Sequence, residues 1–429
     1  MKHGSAAIAA GMAILCSLFA APPLVAQGSP AAAKQAKPPS LELSLWSPLT
    51  GGDGEFFEEM VKAFNASQGE IVVKIDSLKN MSYYVKLSSL ISSGAAPDVV
   101  VVSQDRLISY AMDGSFLPLD AYMARAGISA SEFEAGPLSD CRFRGSIFAI
   151  PMDVHPIIMY YNKDLFAKAG VKKVPDTLAE LIAAAQAIQS RTKAIGIAAD
   201  NTSAVYRAYT LARMFLSLLK EQGVNALDPE NRRANFNNRA GIKAYEALSD
   251  MVNKYKVTPR GLDYEFSVNY FKTGKAGIHF NGVWITGSLE AQEGLNFGAA
   301  QFPALLGKNA AWSGSHAFAL PAQKKPDERR LLAAMKFIDW MTSHGELWAK
   351  AGNIPTRKSV LSKPEFKRLP HQAEYADAVK NSFATPPTLK WSAVYPAIAD
   401  SLEESIAQDR DSRTALSMME QKVNEILRR

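Results

Sequence analysis

Residues 41–102 alternate between strand-like and helix-like patterns, and no other stretch restricts the possible folds of this chain as strongly. Three segments, at 41–46, 71–75 and 99–102, have the apolar patterns of strands. Between them lie two segments with helical periodicity: 56–65, where Phe56, Met60 and Phe64 share one face, and 85–91, which ends before Gly94. Strand, helix, strand, helix and strand in about sixty residues predict a parallel sheet with helical crossovers.

The rest of the chain continues this mixture of helices and strands. The chain has 429 residues, which exceeds one ordinary core, so we expect two lobes. A hydrophobic content of 47% and a charged content of 21% are typical of a soluble globular protein. We predict strands over 195–199 and 276–280, a helix from Thr177, and helices over 206–219, 240–255, 264–274, 331–344 and 402–427.

The segment 148–166 carries polar groups beside a predicted buried strand. Residues 157–161 form an apolar and aromatic run, and Asp153 and His155 precede it between Pro151 and Pro156. Each proline fixes its own φ angle and favours extended geometry in the residue before it. Since α/β proteins place ligand groups at the polar ends of buried strands, Asp153 and His155 are candidate ligand-binding residues. The alternative is a proline-rich loop with two solvated polar side chains.

The N-terminal residues predict export. Lys2, the apolar stretch 6–21 and the small residues up to Ala26 form a secretory signal peptide over 1–26, too short to span a membrane. Leu15 is too bulky for the usual lipoprotein cleavage site before Cys16, so we expect no lipid anchor. Residues 27–40 have the composition of a disordered leader. We therefore expect a periplasmic protein that begins near Gln27.

Charge and motifs argue against several other functions. The net charge of +6, from 48 basic and 42 acidic residues spread along the chain, does not indicate nucleic-acid binding. No Gly-x-Ser-x-Gly turn frames a catalytic serine, and the glycine-rich stretch 51–54 lacks the ending of a phosphate loop. The six histidines do not have His-x-x-x-His spacing, and Cys141 is the only thiol after signal removal. We therefore expect no catalytic residues, no metal and no cofactor.

Seven short motifs occur in a characteristic order along the chain. They are Leu45-Trp46; Gly94-Ala-Ala-Pro-Asp98; Asp105-Arg106 with Tyr110; Tyr161-Asn-Lys-Asp-Leu-Phe166; Phe271-Lys-Thr-Gly-Lys275 before Asn281-Gly-Val-Trp284; Ile354-Pro-Thr-Arg357; and Trp391. Together they cover nearly the whole mature chain. In this order they resemble the family 1 extracellular solute-binding proteins of ABC importers, the maltose-binding-protein-like group.

This resemblance implies an α/β fold, a two-lobe periplasmic-binding-protein clamp of type II, in which each lobe is a mostly parallel sheet flanked by helices. It implies that lobe I comprises 41–152 and 282–326, and that lobe II comprises 153–281 and 327–429. A periplasmic monomer would capture a carbohydrate between the lobes and deliver it to the transmembrane subunits of an ABC permease. The alternatives are a sugar phosphate, a polyol or another small solute and, from a different class, a secreted carbohydrate-active hydrolase.

The motifs also suggest which side chains bind the ligand. A sugar offers hydroxyl groups and flat C–H patches, so its site needs polar groups and aromatic faces. The candidate aromatic residues are Trp46, Tyr206, Trp284, Trp312 and Trp391, and the candidate polar residues are Gln104, Asp105, Asp153, His155, Ser313, His316 and Arg357. The alternatives are a core role for each tryptophan, pairing of Asp105 with Arg106, and helix capping by Tyr206 or Arg357. A typical maltose binder has a carboxylate where His155 aligns, which leaves the identity of the sugar open.

Overall fold

The structure, a computed structural model, describes residues 41–50, 53–78, 80–202 and 209–429. The predicted signal peptide, the leader, Cys16 and Tyr206 lie outside the described residues. In chain order the strands are β1 (Leu41–Ser47), β2 (Ile71–Ser77), β3 (Val99–Ser103), β4 (Arg142–Phe143), β5 (Ser146–Ile147), β6 (Ile150–Pro151), β7 (Asp153–Asn162), β8 (Ile195–Ala198), β9 (Ala276–Gly282), β10 (Phe297–Gln301), β11 (Ala311–Gly314), β12 (His316–Ala319), β13 (Ile354–Pro355) and β14 (Ser382–Phe383).

Helices separate and follow these strands. No helix among the described residues has the length and apolar character needed to span a bilayer. In chain order they are α1 (Gly54–Ser67), α2 (Asn80–Ser93), α3 (Gln104–Met112), α4 (Asp120–Ala126), α5 (Ala135–Asp140), α6 (Lys163–Ala169), α7 (Leu178–Arg191), α8 (Tyr209–Glu221), α9 (Arg239–Val252), α10 (Tyr264–Lys272), α11 (Thr286–Glu290), α12 (Glu328–Ser343), α13 (Gly345–Ala349), α14 (Lys358–Ser362), α15 (Pro364–Lys367), α16 (Gln372–Tyr375), α17 (Ala378–Asn381), α18 (Trp391–Ala407) and α19 (Ser412–Arg428).

Two sheets organise the fold, each with its own buried cluster. The first has the strand order β2-β1-β3-β12-β6, and the second has the order β14-β11-β7-β9-β8, with β10 and β13 also paired to β7. Helices α1, α12 and α13 pack on the first sheet, and α7, α8, α9, α18 and α19 pack on the second. The alternation over 41–102 is confirmed, because β1 pairs in parallel with both β2 and β3.

Beyond these strands the pairing differs from the expected mostly parallel sheets. Strand β12 runs antiparallel to both β3 and β6, and β7 runs antiparallel to β9, β10, β11 and β13. Both sheets are therefore mixed. Their antiparallel pairs all involve the two strands that enter a sheet directly from the other one. Strand β7 follows β6 of the first sheet, β12 follows β11 of the second, and each runs against the strands beside it.

Three segments differ from the sequence prediction, two in the sheet to which they belong and one in its helices. Segment 282–314, expected in lobe I, contributes β10 and β11 to the second sheet. Segment 327–351, expected in lobe II, contributes α12 and α13 to the core of the first sheet, where Phe337 and Trp348 are fully buried. The single helix predicted over 402–427 is two helices, because Asp409 adopts a left-handed conformation and Asp411 caps the start of α19.

The chain crosses between the two sheets at two adjacent points, and again between α13 and β13. Met152 alone separates β6 of the first sheet from β7 of the second, and Ser315 alone separates β11 of the second from β12 of the first. The crossings are adjacent, since the Met152 amide donates to the His316 carbonyl at 2.8 Å. Polar side chains on either side of these crossings consequently come together at the junction of the sheets.

Candidate functional site

The Asp153 carboxylate lies at this junction and is completely buried. Its Oδ1 accepts hydrogen bonds from His155 Nδ1 at 3.0 Å and from the His316 backbone amide at 2.9 Å. Its Oδ2 accepts from His316 Nδ1 at 2.9 Å and from Trp348 Nε1 at 2.7 Å. One carboxylate on β7 thus binds a strand and a helix of the first sheet. With four donors in place, its hydrogen-bonding capacity is used within the protein.

The ionisation of this cluster follows from its burial and pairing. Burial alone would raise the pKa of Asp153, but the charge of His316 and the hydrogen bonds of both imidazoles hold that pKa well below its usual range. Burial lowers the pKa of His316, but the Asp153 carboxylate outweighs this effect and the pKa of His316 is raised. Burial and the neighbouring charge of His316 lower the pKa of His155. The cluster therefore favours one imidazolium, on His316.

The two imidazoles lie against each other at the edge of a cavity. Their ring centroids are 4.5 Å apart, and the His155 ring meets the edge of Trp284 at 5.9 Å. Ligand-type atoms of Asp153, His155 and His316 all lie within 4.8 Å of one another, which sequence spacing did not predict. The short contacts in this group are the hydrogen bonds to Asp153 described above, so the three residues form a hydrogen-bonded cluster.

A buried arginine lies between two tryptophans next to the histidines. The Arg213 guanidinium of α8 lies 3.9 Å from the ring centroid of Trp312 and 4.8 Å from that of Trp284. Both distances are within the range of cation–π contact. Trp284 Nε1 also donates to the Tyr264 hydroxyl at 3.0 Å. These contacts hold both indole rings in defined orientations.

Three neighbouring cavities share these side chains and form one cleft along β11. The histidine cavity, about 300 Å³, is lined by Asp53, His155, Arg213, Tyr264, Trp284, His316 and Asn353. The middle cavity, about 280 Å³, shares His155 and Arg213 with it and adds Trp312, Trp391 and Tyr395. The third, which we call the Trp391 cavity, is about 410 Å³; it shares Trp312 and Trp391 with the middle cavity and extends to Phe383 and Asp140. The cleft therefore alternates aromatic and polar groups over its length.

The cleft brings together eight of the twelve site residues predicted from sequence. They are Gln104, Asp105, His155, Trp284, Trp312, Ser313, His316 and Trp391. For each tryptophan the sequence left open a ligand-binding role and a core role. Trp312 and Trp391 are compatible with both, because each lines the cleft and also belongs to the buried cluster of the second sheet. Their predicted contact with a ligand remains a prediction.

Three of the other four predicted residues do not line these cavities. Asp153 is fully buried and saturated, so it reaches the cleft only through its histidine partners. Trp46 packs against Tyr83 and donates to Asp76 Oδ2 at 3.2 Å. Arg357 is held by Glu132, by Asp339 Oδ1 at 2.7 Å and by Thr342 Oγ1 at 3.2 Å, away from the cleft. Tyr206 lies outside the described residues.

Several lining residues were missed in the sequence, and Arg213 had a signal that could have identified it. It is the one charged residue between Tyr209 and Leu219, in a helix whose described positions are otherwise mostly buried and apolar. A lone charge in such a helix indicates either a buried ion pair or a functional site. Asp53, Tyr264 and Asn353 had no comparable signal, because only the tertiary structure brings these separate parts of the chain beside the histidines.

Comparisons with known proteins place this geometry in context. The family model described as bacterial extracellular solute-binding protein matches residues 48–347. The maltooligosaccharide ABC transporter solute-binding lipoprotein of Streptococcus pneumoniae serotype 4 is 27% identical over 428 residues, covering 96% of this chain and 95% of that protein. The arabinooligosaccharide-binding protein of Bacillus subtilis is 26% identical, covering 83% of this chain and 82% of that protein.

Solved structures agree on the fold. The cyclic alpha-maltosyl-1,6-maltose binding protein from Arthrobacter globiformis superposes with a TM-score of 0.76 at 24% identity, covering 90% of this chain and 98% of that chain. The predicted fold class and the resemblance read from the seven motifs are both confirmed. The family match spans well over half of the chain, and this chain belongs to the bacterial extracellular solute-binding proteins.

Proposed function

We propose that this protein captures a carbohydrate in the cleft along β11 and delivers it to the membrane subunits of an ABC importer. The observation that carries the proposal is the row of aromatic side chains along three connected cavities, with hydrogen-bonding groups between them. The aromatic residues are Tyr264, Trp284, Trp312, Trp391 and Tyr395. Aromatic faces pack on the C–H patches of sugars, while amides, imidazoles and hydroxyls bind sugar hydroxyl groups. The sugar-binding names of the relatives point in the same direction.

The length of the cleft supports an oligosaccharide over a single sugar ring. The histidine, middle and Trp391 cavities have volumes of about 300, 280 and 410 Å³, and each cavity shares lining residues with the next one. Ligand sites for small molecules typically occupy about 300–1,000 Å³. A ligand of two or more sugar units would contact Trp284 at one end and Trp391 at the other.

The charge balance around the histidine and middle cavities favours a neutral ligand over a sugar phosphate. The histidine and middle cavities and the Asp153 cluster beside them contain three carboxylates and three cations: Asp53, Asp105 and Asp153, and Arg106, Arg213 and protonated His316. A site for a phosphate would instead carry an excess of donors or positive charge. This balance argues for a neutral sugar and against the sugar-phosphate alternative.

The mode of action that we propose is closure of two lobes around the sugar by a monomer. Lobe I would comprise the first sheet with α1, α12 and α13, and lobe II the second sheet with its helices. The two adjacent crossings, at Met152 between β6 and β7 and at Ser315 between β11 and β12, would serve as hinges, as in other hinged binding proteins. We also propose export through the segment 1–26 to the periplasm, with the mature chain beginning near Gln27. Mass spectrometry of the exported protein would test that start.

A thermal-shift screen followed by calorimetry tests the function. A ligand that binds only the folded state raises the unfolding midpoint, so the screen should select an oligosaccharide among sugars, polyols and sugar phosphates. Trp284→Ala should then weaken binding by ten- to a hundredfold, about 1–3 kcal/mol. Trp340→Ala is the matched control, since Trp340 stacks on His344 outside the cleft. A shift with a sugar phosphate alone, or release of new reducing ends from the sugar, would contradict the proposal.

A further inference from the structure

The Asp153 carboxylate determines which ring nitrogen of each neighbouring imidazole carries a proton. An ionised carboxylate only accepts hydrogen bonds. Nδ1 of His155 and Nδ1 of His316, at 3.0 and 2.9 Å from it, must therefore both be protonated donors. The ring nitrogen that each imidazole has left for contact with a ligand is therefore Nε2. In the described part of the chain neither Nε2 has a hydrogen-bonding partner.

Both imidazoles reach the cleft while the carboxylate does not. Each histidine side chain is 14% exposed, Asp153 is 0% exposed, and both rings line the histidine cavity. The chemistry at the cleft surface is consequently that of two Nε2 atoms. The protonation of these atoms is determined by Asp153, which is buried and which the ligand does not contact.

The two rings differ in charge, so their Nε2 atoms differ in hydrogen-bonding role. The raised pKa of His316 favours the imidazolium, whose Nε2 is a donor, because the Asp153 carboxylate outweighs the effect of burial. The lowered pKa of His155 favours the neutral ring, because burial and the positive charge of His316 disfavour a second proton. With Nδ1 protonated, Nε2 of the neutral ring is an acceptor.

We propose that Asp153 is a positioning residue that presents His155 Nε2 as an acceptor and His316 Nε2 as a donor to two hydroxyl groups of the bound sugar. The proposal rests on the proposed carbohydrate-binding function and deepens it. With ring centroids 4.5 Å apart, the two imidazoles are close enough to contact one sugar ring together. A hydroxyl group both donates and accepts, so it can satisfy either atom. A dianionic phosphate cannot donate to His155, so this pair selects hydroxyls over phosphate.

Gly314 makes room for this arrangement. It pairs with His155 across the antiparallel strands β11 and β7, and the imidazole lies over it. A Cβ atom added at position 314 would lie 2.1 Å from His155 Nε2. The three atoms nearest to such a Cβ all belong to the His155 ring, so any side chain at Gly314 would push the acceptor out of place. Gly314→Ala changes the position of His155 Nε2 but retains the Asp153 carboxylate that determines its protonation, so this variant tests the effect of position separately.

The pair predicts how sugar affinity depends on pH. Protonation of His155, below its ordinary pKa of about 6.5, removes the acceptor, so affinity falls as the pH is lowered. Deprotonation of His316, above that value, removes the donor, so affinity falls as the pH is raised. Affinity should thus be highest between the two titrations. The charged and titratable groups that face the two rings are Asp153 on β7, Arg213 on α8, Asp53 before α1, Asp105 on α3 and, for each ring, the other histidine.

The first test reads the rings without any sugar. Nitrogen-15 NMR of histidine-labelled protein, assigned with His155→Gln and His316→Gln, should find His155 as the Nδ1–H tautomer with a bare Nε2. It should also find that His316 titrates at a higher pH than His155. In Asp153→Asn the amide NH₂ group replaces one acceptor oxygen, so the facing imidazole should move its proton to Nε2. A predominant Nε2–H tautomer at His155 in the unchanged protein would overturn the proposal and leave the carbohydrate-binding function untouched.

The second test measures maltotriose binding by calorimetry between pH 5 and 9. We expect roughly tenfold weaker binding in His155→Gln, His316→Gln and Gly314→Ala, and a larger loss in Asp153→Asn. His155→Gln should remove the acid side of the pH profile, and His316→Gln should remove the alkaline side. His371→Gln is the control, because His371 pairs with Glu290, is also 14% exposed and lies outside the cleft. An unchanged profile in both cleft variants would overturn the proposal. If no sugar binds at any pH, the proposed function fails, and this assignment with it.

Discussion

Asp153 and Arg357 are two buried charged residues for which the sequence predicts the same role, and the structure separates them. Asp153 joins His155, His316 and Trp348, and its two imidazoles have a second nitrogen open to the cleft. Arg357 joins Glu132 and Asp339, none of which lines the three cavities. Both clusters hold distant parts of the chain together. The difference teaches that a buried ion influences a ligand only through those partners that reach the ligand.

The largest effect should come from removing the Asp153 carboxylate. Asp153→Ala leaves four donors without their acceptor, including a buried imidazolium, so the free energy of unfolding should fall by about 3–5 kcal/mol. Affinity for sugar should fall as well, because both imidazoles lose their orientation. Urea unfolding monitored by tryptophan fluorescence measures the first effect, and calorimetry on the folded fraction measures the second. Unchanged stability would mean that Asp153 is not the centre of the junction.

Arg357→Met should destabilise the protein less and leave binding alone. Its carboxylate partners Glu132 and Asp339 are 33% and 41% exposed, so after the change water can solvate them. We therefore expect a loss of about 1–3 kcal/mol in the free energy of unfolding, with the dissociation constant for sugar unchanged. Calorimetry and urea unfolding on the same preparation distinguish the two quantities. A tenfold loss of affinity would restore Arg357 as a ligand-binding residue.

The Asp153 and Arg357 clusters should also differ in how the free energy of unfolding depends on pH, although this effect is smaller. The folded state raises the pKa of His316 above its unfolded value near 6.5, so its contribution to stability is complete below that pH. The contribution is lost as the pH rises through the raised pKa. Unfolding free energy should decline along this alkaline limb in the wild type and in Arg357→Met, and should be flatter in His316→Gln. An equal decline in His316→Gln would assign the limb to another group.

Trp46→Phe should have the smallest effect on binding. Trp46 packs on Tyr83 and its indole donates to Asp76, so the substitution removes one partly exposed hydrogen bond. We expect the binding free energy to change by less than about 0.5 kcal/mol, within the usual range for surface positions. Trp284→Ala, measured beside it, supplies the positive reference. A comparable loss in both variants would indicate that the ligand site extends to β1.

The sequence predicted the repetitive elements well because their signals are local. The strands near Leu41, Ile71 and Val99, and the helix that Thr177 caps, appear where the periodicity of the chain places them. The order of seven motifs identified the family, and three of those motifs contain residues that line the cleft: Asp105 and Arg106, Trp284, and Trp391. The sequence predicted mostly parallel strands and missed the antiparallel pairing of β7 and β12, because these two strands continue the crossings between the sheets, which only the tertiary structure defines.

By itself the sequence determined the alternation of strands and helices, because that depends on residue type and spacing along the chain. The order of its motifs identified the family and, through that resemblance, eight residues that line the cleft. Only the tertiary structure decided that Asp153 faces inward and that two histidines 161 positions apart share its carboxylate. It also decided that Arg213 lies between Trp284 and Trp312. Burial and hydrogen-bond saturation are properties of the assembled chain. The same carboxylate would be a ligand at an open strand end and is a structural anchor where four donors surround it.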